Sequence, residues 1–299
     1  MKKLLLHLDS SPLPSVFDRI VAYDAGADDV LSYAGVRVED VRDLVHGAIF
    51  TRGPKDLHNT AIFIGGTDMS AGEQLLAAVQ KTFFGPMRVS VMLDSNGSNT
   101  TAVAAVARLT QAVGDVRGRR VVVVAGTGPV GTRAAGLLAR AGANVAITSR
   151  HADEADRVAA QIRDRFGGSV EAIVVSDPSH VDKALGGAEL LLNAGPAGVQ
   201  LVARPAWTSV RSLRAVADLN AVPPLGIDGV DATDSGTDRN GVKAYGALGV
   251  GNLKMKIHKR GIAKLFERND LVLDAESIGE LAREVLQATP APPSVPPPV

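Results

Sequence analysis

The stretch VVVVAGTGPVGTRAAGLLARAGANVAITSR, residues 121–150, decides the fold. Four consecutive valines suit a strand buried on both faces, as in a parallel sheet covered by helices. Gly126-Thr127-Gly128-Pro129-Val130-Gly131 comes next, then an alanine-rich segment of helical length, then a second apolar run ending at Thr148-Ser149-Arg150. A G-x-G-x-x-G pattern is weak by itself, but here it follows a strand and opens a helix within a βαβ unit of about 30 residues. Gly126 is read as permitting the tight turn, and Gly128 as letting backbone approach a pyrophosphate at the helix N-terminus. Gly131 is read as letting helix and strand close up. Pro129 suits the first helical turn, where a missing N–H leaves no bond unmade.

The end of the second strand bears on which dinucleotide is held. A site selecting NAD commonly carries Asp or Glu there, bonding the ribose 2′-hydroxyl. This chain has Ser149 and Arg150, a hydroxyl and a guanidinium that would receive a 2′-phosphate where a carboxylate would repel it. NADP is therefore the expected cofactor. The alternative, Arg150 as a solvated strand end, leaves NAD acceptable as well. Further on, NAGPAG (193–198) ends a later strand, and its glycines would bring backbone at Ala194 and Gly195 to the nicotinamide. An ordinary glycine turn is the competing account.

Outward from this unit the same alternation continues. Strands are expected at residues 3–8, 61–66 and 87–94, with helices opened by Pro14 and over 39–50, 70–84 and 100–113. In the second half, strands are expected near 120–125, 144–149, 170–175, 189–194 and 213–218, with helices starting near 128, 152, 178 and 202. A long helix spans about 250–268, and a last one 274–287. The chain is thus expected to be an α/β protein of two domains with a cleft between them. An α/β substrate domain covers 1–115, and a doubly wound parallel sheet of the Rossmann kind covers 116–268. The boundary lies in GDVRGRR (114–120). A C-terminal helix (269–287) and a proline-rich tail (288–299), expected to be disordered, complete the chain.

Composition narrows the function classes. The 32 basic and 32 acidic side chains balance, so neither nucleic acid nor a membrane surface is an expected partner. The absence of cysteine excludes disulfides, thiol nucleophiles and thiolate metal sites, and fits a reducing cytoplasm. MKKLLLHLDSS at the N-terminus has too short an apolar run for a signal peptide, and no segment reaches the roughly 20 apolar residues of a membrane span.

Two segments carry candidate substrate chemistry. LDSNGSNTT (93–101) delivers a carboxylate, two amides and several hydroxyls at the end of a buried strand, although Ser98 or Asn99 as a plain helix cap accounts for part of it. In the helix GNLKMKIHKRGIAKLFE, an advance of about 100° per residue places Lys254 and His258 in the middle of an arc made by Met255, Ile257, Gly261, Ile262, Leu265 and Phe266. Lys256, Lys259, Arg260 and Lys264 take the opposite face. A lysine and an imidazole aimed into an apolar wall need a ligand or a carboxylate. A snorkelling lysine and a satisfied core histidine are the bland account. No evident His–carboxylate catalytic pair is present, nor H-E-x-x-H, G-x-S-x-G or G-x-x-x-x-G-K-[ST].

LPSVFD (13–18), FTRG (50–53), FFGPMRVSVMLDSNGSNTTA (83–102), AGTGPVG (125–131), VADLNAVPPLGIDGVDATD (216–234) and GALGVGNLKMKIHKRGIAKLFE (246–267) together resemble the bacterial NADP-dependent methylene-tetrahydromethanopterin dehydrogenases of one-carbon metabolism. The resemblance runs over residues 2–287. It implies a pterin domain joined to a Rossmann domain, and homo-oligomers, as trimer or hexamer. It implies a pterin pocket with Phe17, Thr101, Lys254 and His258. Asp94, Asn96, Asn99 and Thr100 belong to the same matched loop, and Asp218 and Asn220 to the segment after the last sheet strand. Lys254, His258 and Asp94 are the candidate catalytic residues, with Lys254 as an anchor for a pterin oxygen. The implied reaction passes hydride from the methylene carbon to the nicotinamide and needs no general base. Where the family commonly reads Gly-Arg-Lys, this chain has Ser149-Arg150-His151. The folate version of the reaction, a shikimate-type dehydrogenase and a non-catalytic NADP-binding sensor are the alternatives.

Overall fold

The alternating runs fold into two sheets in a computed structural model that describes residues 1–288. In the first half β1 (Leu4–Asp9), α1 (Val16–Asp24), β2 (Asp29–Tyr33), α2 (Val41–Phe50), β3 (Thr60–Gly65), α3 (Met69–Thr82) and β4 (Ser90–Leu93) lead into α4 (Ser98–Val113). The second half runs β5 (Arg120–Val124), α5 (Pro129–Arg140), β6 (Asn144–Ser149), α6 (Ala152–Phe166), β7 (Ser169–Val174), α7 (Val181–Ala184), β8 (Leu190–Asn193), α8 (Arg204–Thr208) and β9 (Ala215–Asp218). A hairpin of β10 (Ser235–Arg239) and β11 (Val242–Tyr245) precedes α9 (Ala247–Lys264), β12 (Val272–Leu273) and α10 (Ala275–Ala288). The expectation for the proline-rich tail, past Ala288, lies outside the described residues.

The first sheet has the order β12-β4-β3-β1-β2 and is parallel throughout. The second has the order β10-β11-β9-β8-β5-β6-β7 and is parallel except for the β10–β11 pair. Its strand order reverses between β5 and β8, where a doubly wound sheet opens its ligand crevice. The valine run explains itself in this setting. Val121 and Val123 share a core with Ala134, Ala135 and Leu138 of α5, while Val122 and Val124 share another with Val181 and Trp207. Each face of β5 is covered, at about 1.5–3 kcal/mol per fully buried valine.

Four strands depart from expectation, among them β11, which lies where the sequence predicts no strand. β2 reads DVLSY and leaves Leu31 and Tyr33 exposed on the sheet edge, so no continuous apolar run announces it. β10 (SGTDR) is polar and carries a register shift, and β12 is two residues long. α9 starts at Ala247 rather than Val250, because its early glycines serve contact rather than termination: a Cβ on Gly249 would fall 1.9 Å from the Asp234 carbonyl oxygen. It ends at Lys264, four residues before the expected Arg268.

The halves are tied together. The chain crosses to the second sheet after α4 and returns as β12, while α9 packs on α1 and α4 and on β9 and β10. An ionic network adds a polar tie. Arg133 of α5, 5% exposed, donates to the Pro129 carbonyl (3.0 Å) and to Glu73 of α3 (2.7 Å). Arg165 of α6 donates to the same Glu73 oxygen (2.8 Å) and pairs with Glu276 of α10 (3.0 Å). Among the described residues no helix is long and apolar enough to cross a membrane.

Candidate active site

The glycine turn follows β5 as the valine run demands, with one correction to how it turns. The left-handed residue is Ala125 (φ 53°), not Gly126. Gly126 is needed because a Cβ there would meet the Ile147 side chain at 2.7 Å and the Val123 carbonyl oxygen at 3.0 Å. The turn is clasped to the end of β6: Ala125 N–H donates to the Thr148 hydroxyl (3.1 Å) and Gly126 N–H to the Thr148 carbonyl (3.0 Å). Gly128 is the N-cap of α5, which has no side-chain cap, and Pro129 is its first residue. A Cβ on Gly128 would have no neighbour nearer than 3.9 Å. Unbonded helix N–H groups beside an open backbone position fit a dinucleotide pyrophosphate, with Thr127, Val130 and Gly131 completing the turn.

The neighbouring crevice loops are ordered from within. Asn193, wholly buried at the end of β8, donates to Asp218 (2.8 Å) and accepts from Gly195 N–H (3.2 Å). Asp218 also accepts from the N–H groups of Asn220 (3.1 Å) and Ile227 (2.9 Å). Asn220 accepts from Gly198 N–H (3.2 Å) and Val222 N–H (2.9 Å) and donates to the Pro224 carbonyl (3.0 Å). Asp218 and Asn220, expected as substrate contacts, thus spend these bonds on the chain around them: Asp218 holds Asn193 and the 220–227 segment, and Asn220 ties that segment to Gly198 of the 194–198 loop. Ala194 N–H bonds the Val124 carbonyl (3.0 Å), which seats that loop beside the glycine turn.

On the first sheet, Asp94 follows β4 and is buried. Its carboxyl accepts Thr100 N–H (2.9 Å) and the Thr100 hydroxyl (2.6 Å). Asp94 therefore caps α4, and neither Ser98 nor Asn99 does. Asn99 turns its amide back to the Leu93 carbonyl (2.6 Å), leaving its own side-chain oxygen buried without a partner. Asn96 is exposed, in the left-handed region (φ 55°).

Helix α9 delivers its two inward side chains to the same place. Lys254 Nζ sits 4.9 Å from the centroid of the Phe17 ring, and a Cβ on Gly97 would be 2.7 Å from it. Among the described residues no carboxylate lies within ion-pair distance of Lys254. Thr101 borders the same spot, its hydroxyl 3.9 Å from that Cβ position. The His258 ring is fully buried, stacked on Phe63 (5.4 Å, 18°) and tilted against Phe17 (6.1 Å). Its Nδ1 is 3.9 Å from Asp94 Oδ2. A second pair, His7 and Asp9 (3.4 Å), lies behind Phe63. The sequence shows no evident His–carboxylate pair; the fold makes the His258–Asp94 pair by bringing α9 against the end of β4, whereas His7 and Asp9 meet at i, i+2 on one face of β1.

Burial dominates the electrostatics. Desolvation raises Asp94 to about 7, against the Thr100 hydrogen bonds and the charge of Lys254. Desolvation likewise raises Asp18, beside Phe17, to about 6. It lowers His258 to about 3, with Lys254 and His7 adding to the effect. His258 contributes stability above its unfolded value near 6.5 and loses it as the pH falls toward 3. Asp94 contributes below its unfolded value near 3.8 and loses that contribution as the pH rises toward 7. Between these limits the slopes oppose, each at most about 1.4 kcal/mol per pH unit, and largely cancel. Urea melts across this range are expected to show Asp94→Asn losing stability toward acid and His258→Phe gaining it, each relative to the parent. Two variants that run parallel to the parent would remove the pair from the account.

The structure thus brings Phe17, Asp94, Thr100, Thr101, Lys254 and His258 into one cluster, with Asn99 bonded just beneath. It leaves Asp218 and Asn220 on the second sheet and Arg150 exposed beyond β6. Asp18, His7 and Phe63 went unnoticed in sequence; Asp18 alone had a signal, as the neighbour of Phe17. A cavity of about 390 Å³ between the halves is lined by Met69, Ser70 and Glu73 on one side and Thr127, Pro129, Thr132 and Arg133 on the other. A larger one, about 670 Å³, lies at the seam of α4, α5 and α10, and none of the candidate site residues line it.

Residues 16–96 match the model of the family described as methylene-tetrahydromethanopterin dehydrogenase, N-terminal. The chain is 50% identical to the protein named bifunctional protein MdtA of Methylorubrum extorquens, over 95% of this chain and 99% of that one. It is 34% identical to the NAD(P)-dependent methylenetetrahydromethanopterin dehydrogenase of the same organism, again over 95% and 99%. Among solved structures, a shikimate 5-dehydrogenase from Listeria monocytogenes in complex with shikimate and NAD superimposes with a TM-score of 0.52 at 15% identity, covering 94% of this chain and 96% of that one. That likeness supports the fold.

Proposed function

The chain belongs to the methylene-tetrahydromethanopterin dehydrogenase family, and from that premise we propose that it oxidises methylene-tetrahydromethanopterin to the methenyl form, with NADP as the acceptor. As a member it is an oxidoreductase that uses a nicotinamide cofactor. The observation that carries the substrate reading is Lys254: a cation with no carboxylate partner among the described residues, held over the face of Phe17 beside buried Asp94 and His258.

The bound nicotinamide would supply a hydride acceptor, and the substrate carbon would leave with one hydride fewer and a positive charge spread over two nitrogens. No proton has to move, so neither Asp94 nor His258 is required as a base. Rate then comes from alignment and from charges placed for the forming cation. Lys254 would anchor a pterin carbonyl or amide oxygen, away from the reacting carbon, since a cation beside a forming cation is unfavourable. Phe17 would offer a face to the ring, and Asn96, Asn99 and Thr101 polar contacts. Asp94, held near neutrality, would be drawn toward its ionised form by the growing positive charge. Asp218 and Asn220 would act at one remove by positioning the 194–198 loop against the nicotinamide.

The division into a pterin unit over 1–115 and a nucleotide unit over 116–268, assembly as a trimer or hexamer, and a cytoplasmic location belong to the same proposal. The folate version is the second reading, because both carriers share the reacting imidazolidine. The test is an assay of reduced-nicotinamide absorbance crossing both pterins with NADP and NAD. The highest kcat/KM is expected for the methanopterin derivative with NADP. A higher value with the folate would favour the second reading, and no reduction with either would overturn both.

A further inference from the structure

The sequence lacks an acid at the end of the second nucleotide-domain strand, yet the fold supplies one from the next helix. Glu154 lies in the first turn of α6, and its Oε2 accepts the Ser149 hydroxyl (3.1 Å). The same hydroxyl accepts His151 N–H (3.3 Å), which directs its proton to Glu154. Ser149 is 8% exposed, and it is the residue after Thr148, which clasps the glycine turn. Arg150 and His151 are exposed, and among the described residues Arg150 has no ion-pair partner.

We propose that Glu154, held by Ser149, sets the choice between NAD and NADP. The carboxylate stands where a ribose 2′ substituent would be received. It would accept a 2′-hydroxyl as it is. A 2′-phosphate would have to displace it from Ser149, take over that hydroxyl, and draw on Arg150 against the repulsion of Glu154. The chain is then a dual-cofactor protein whose preference for NADP is held down by one carboxylate, and its strand end combines an acceptor for one cofactor with a cation for the other. This deepens the dinucleotide reading and rests on it.

The experiment is calorimetric binding of adenosine 2′,5′-bisphosphate and of AMP to the full chain, without pterin, for the parent, Glu154→Gln, Glu154→Ala and Ser149→Ala. Both Glu154 variants are expected to tighten the bisphosphate about tenfold while AMP changes little, and to move the NADP-to-NAD ratio of kcat/KM in parallel. Ser149→Ala is expected to weaken the bisphosphate, since a phosphate contact is lost. Asp153→Asn removes a charge of the same sign in the same turn, away from Ser149, and should leave the ratio within about twofold, which separates a specific contact from a general field. If both nucleotides bind and the Glu154 variants leave their ratio unmoved, the inference fails while the dinucleotide reading stands. If the parent binds neither, the dinucleotide reading fails and takes the inference with it.

Discussion

Gly131→Ala is expected to weaken NADP binding on the order of 100-fold, by loss of one or two charge-assisted N–H bonds to phosphate. The added Cβ would lie 2.8 Å from Gly126 Cα and 3.0 Å from both the Gly126 carbonyl carbon and the Ala125 carbonyl oxygen. All three are backbone atoms, so no rotamer relieves the clash, and the first turn of α5 must lift away from the glycine turn. That turn is already constrained by its two bonds to Thr148, so the strain falls on the N–H groups that face the phosphates. Thermal stability should drop as well. Gly128→Ala is the informative contrast: its Cβ would meet nothing within 3.9 Å, so affinity should fall while the melting temperature holds. Titration of NADP with a parallel melt for each variant checks both. A Gly131→Ala protein that binds NADP like the parent would show that the turn does not hold the cofactor.

Lys254→Met is expected to lower kcat/KM for the pterin about 100-fold, the upper end for one hydrogen bond from a charged donor, while NADP affinity stays within about twofold. Methionine keeps a straight apolar stem against Phe17 and Gly97, so the change isolates the ammonium. The Lys254 charge favours the ionised forms of both Asp94 and Asp18, so without it both carboxyls should rise further and any pH optimum should move upward. Steady-state kinetics at fixed saturating NADP, repeated across pH, reads both effects. An unchanged kcat/KM would strike Lys254 from the site and with it the observation on which the substrate reading stands.

Much of this was legible in the residues. The valine run, the glycine spacing and the second apolar run are local signals, and they gave the α/β class and the place of the glycine turn between β5 and α5. Helical periodicity turned Lys254 and His258 inward, and long matched segments pointed to the family that the relatives confirm. The strands that escaped were the edge strand β2, the polar β10 and the two-residue β12, whose burial comes from neighbours rather than from their own composition, and the four-residue β11, too short to show a period of its own.

What only the tertiary structure decided is which distant side chains face one another. Asp94 caps its own helix and meets His258, Glu154 reaches back to Ser149, and Asp218 and Asn220 turn inward to brace a loop. Propensity and periodicity act over a few residues and so can be read along the chain. The approach of β4 to α9 depends on sheet order and on how two halves dock, and burial, which sets the charge state of Asp94 and His258, exists only once that docking has expelled water.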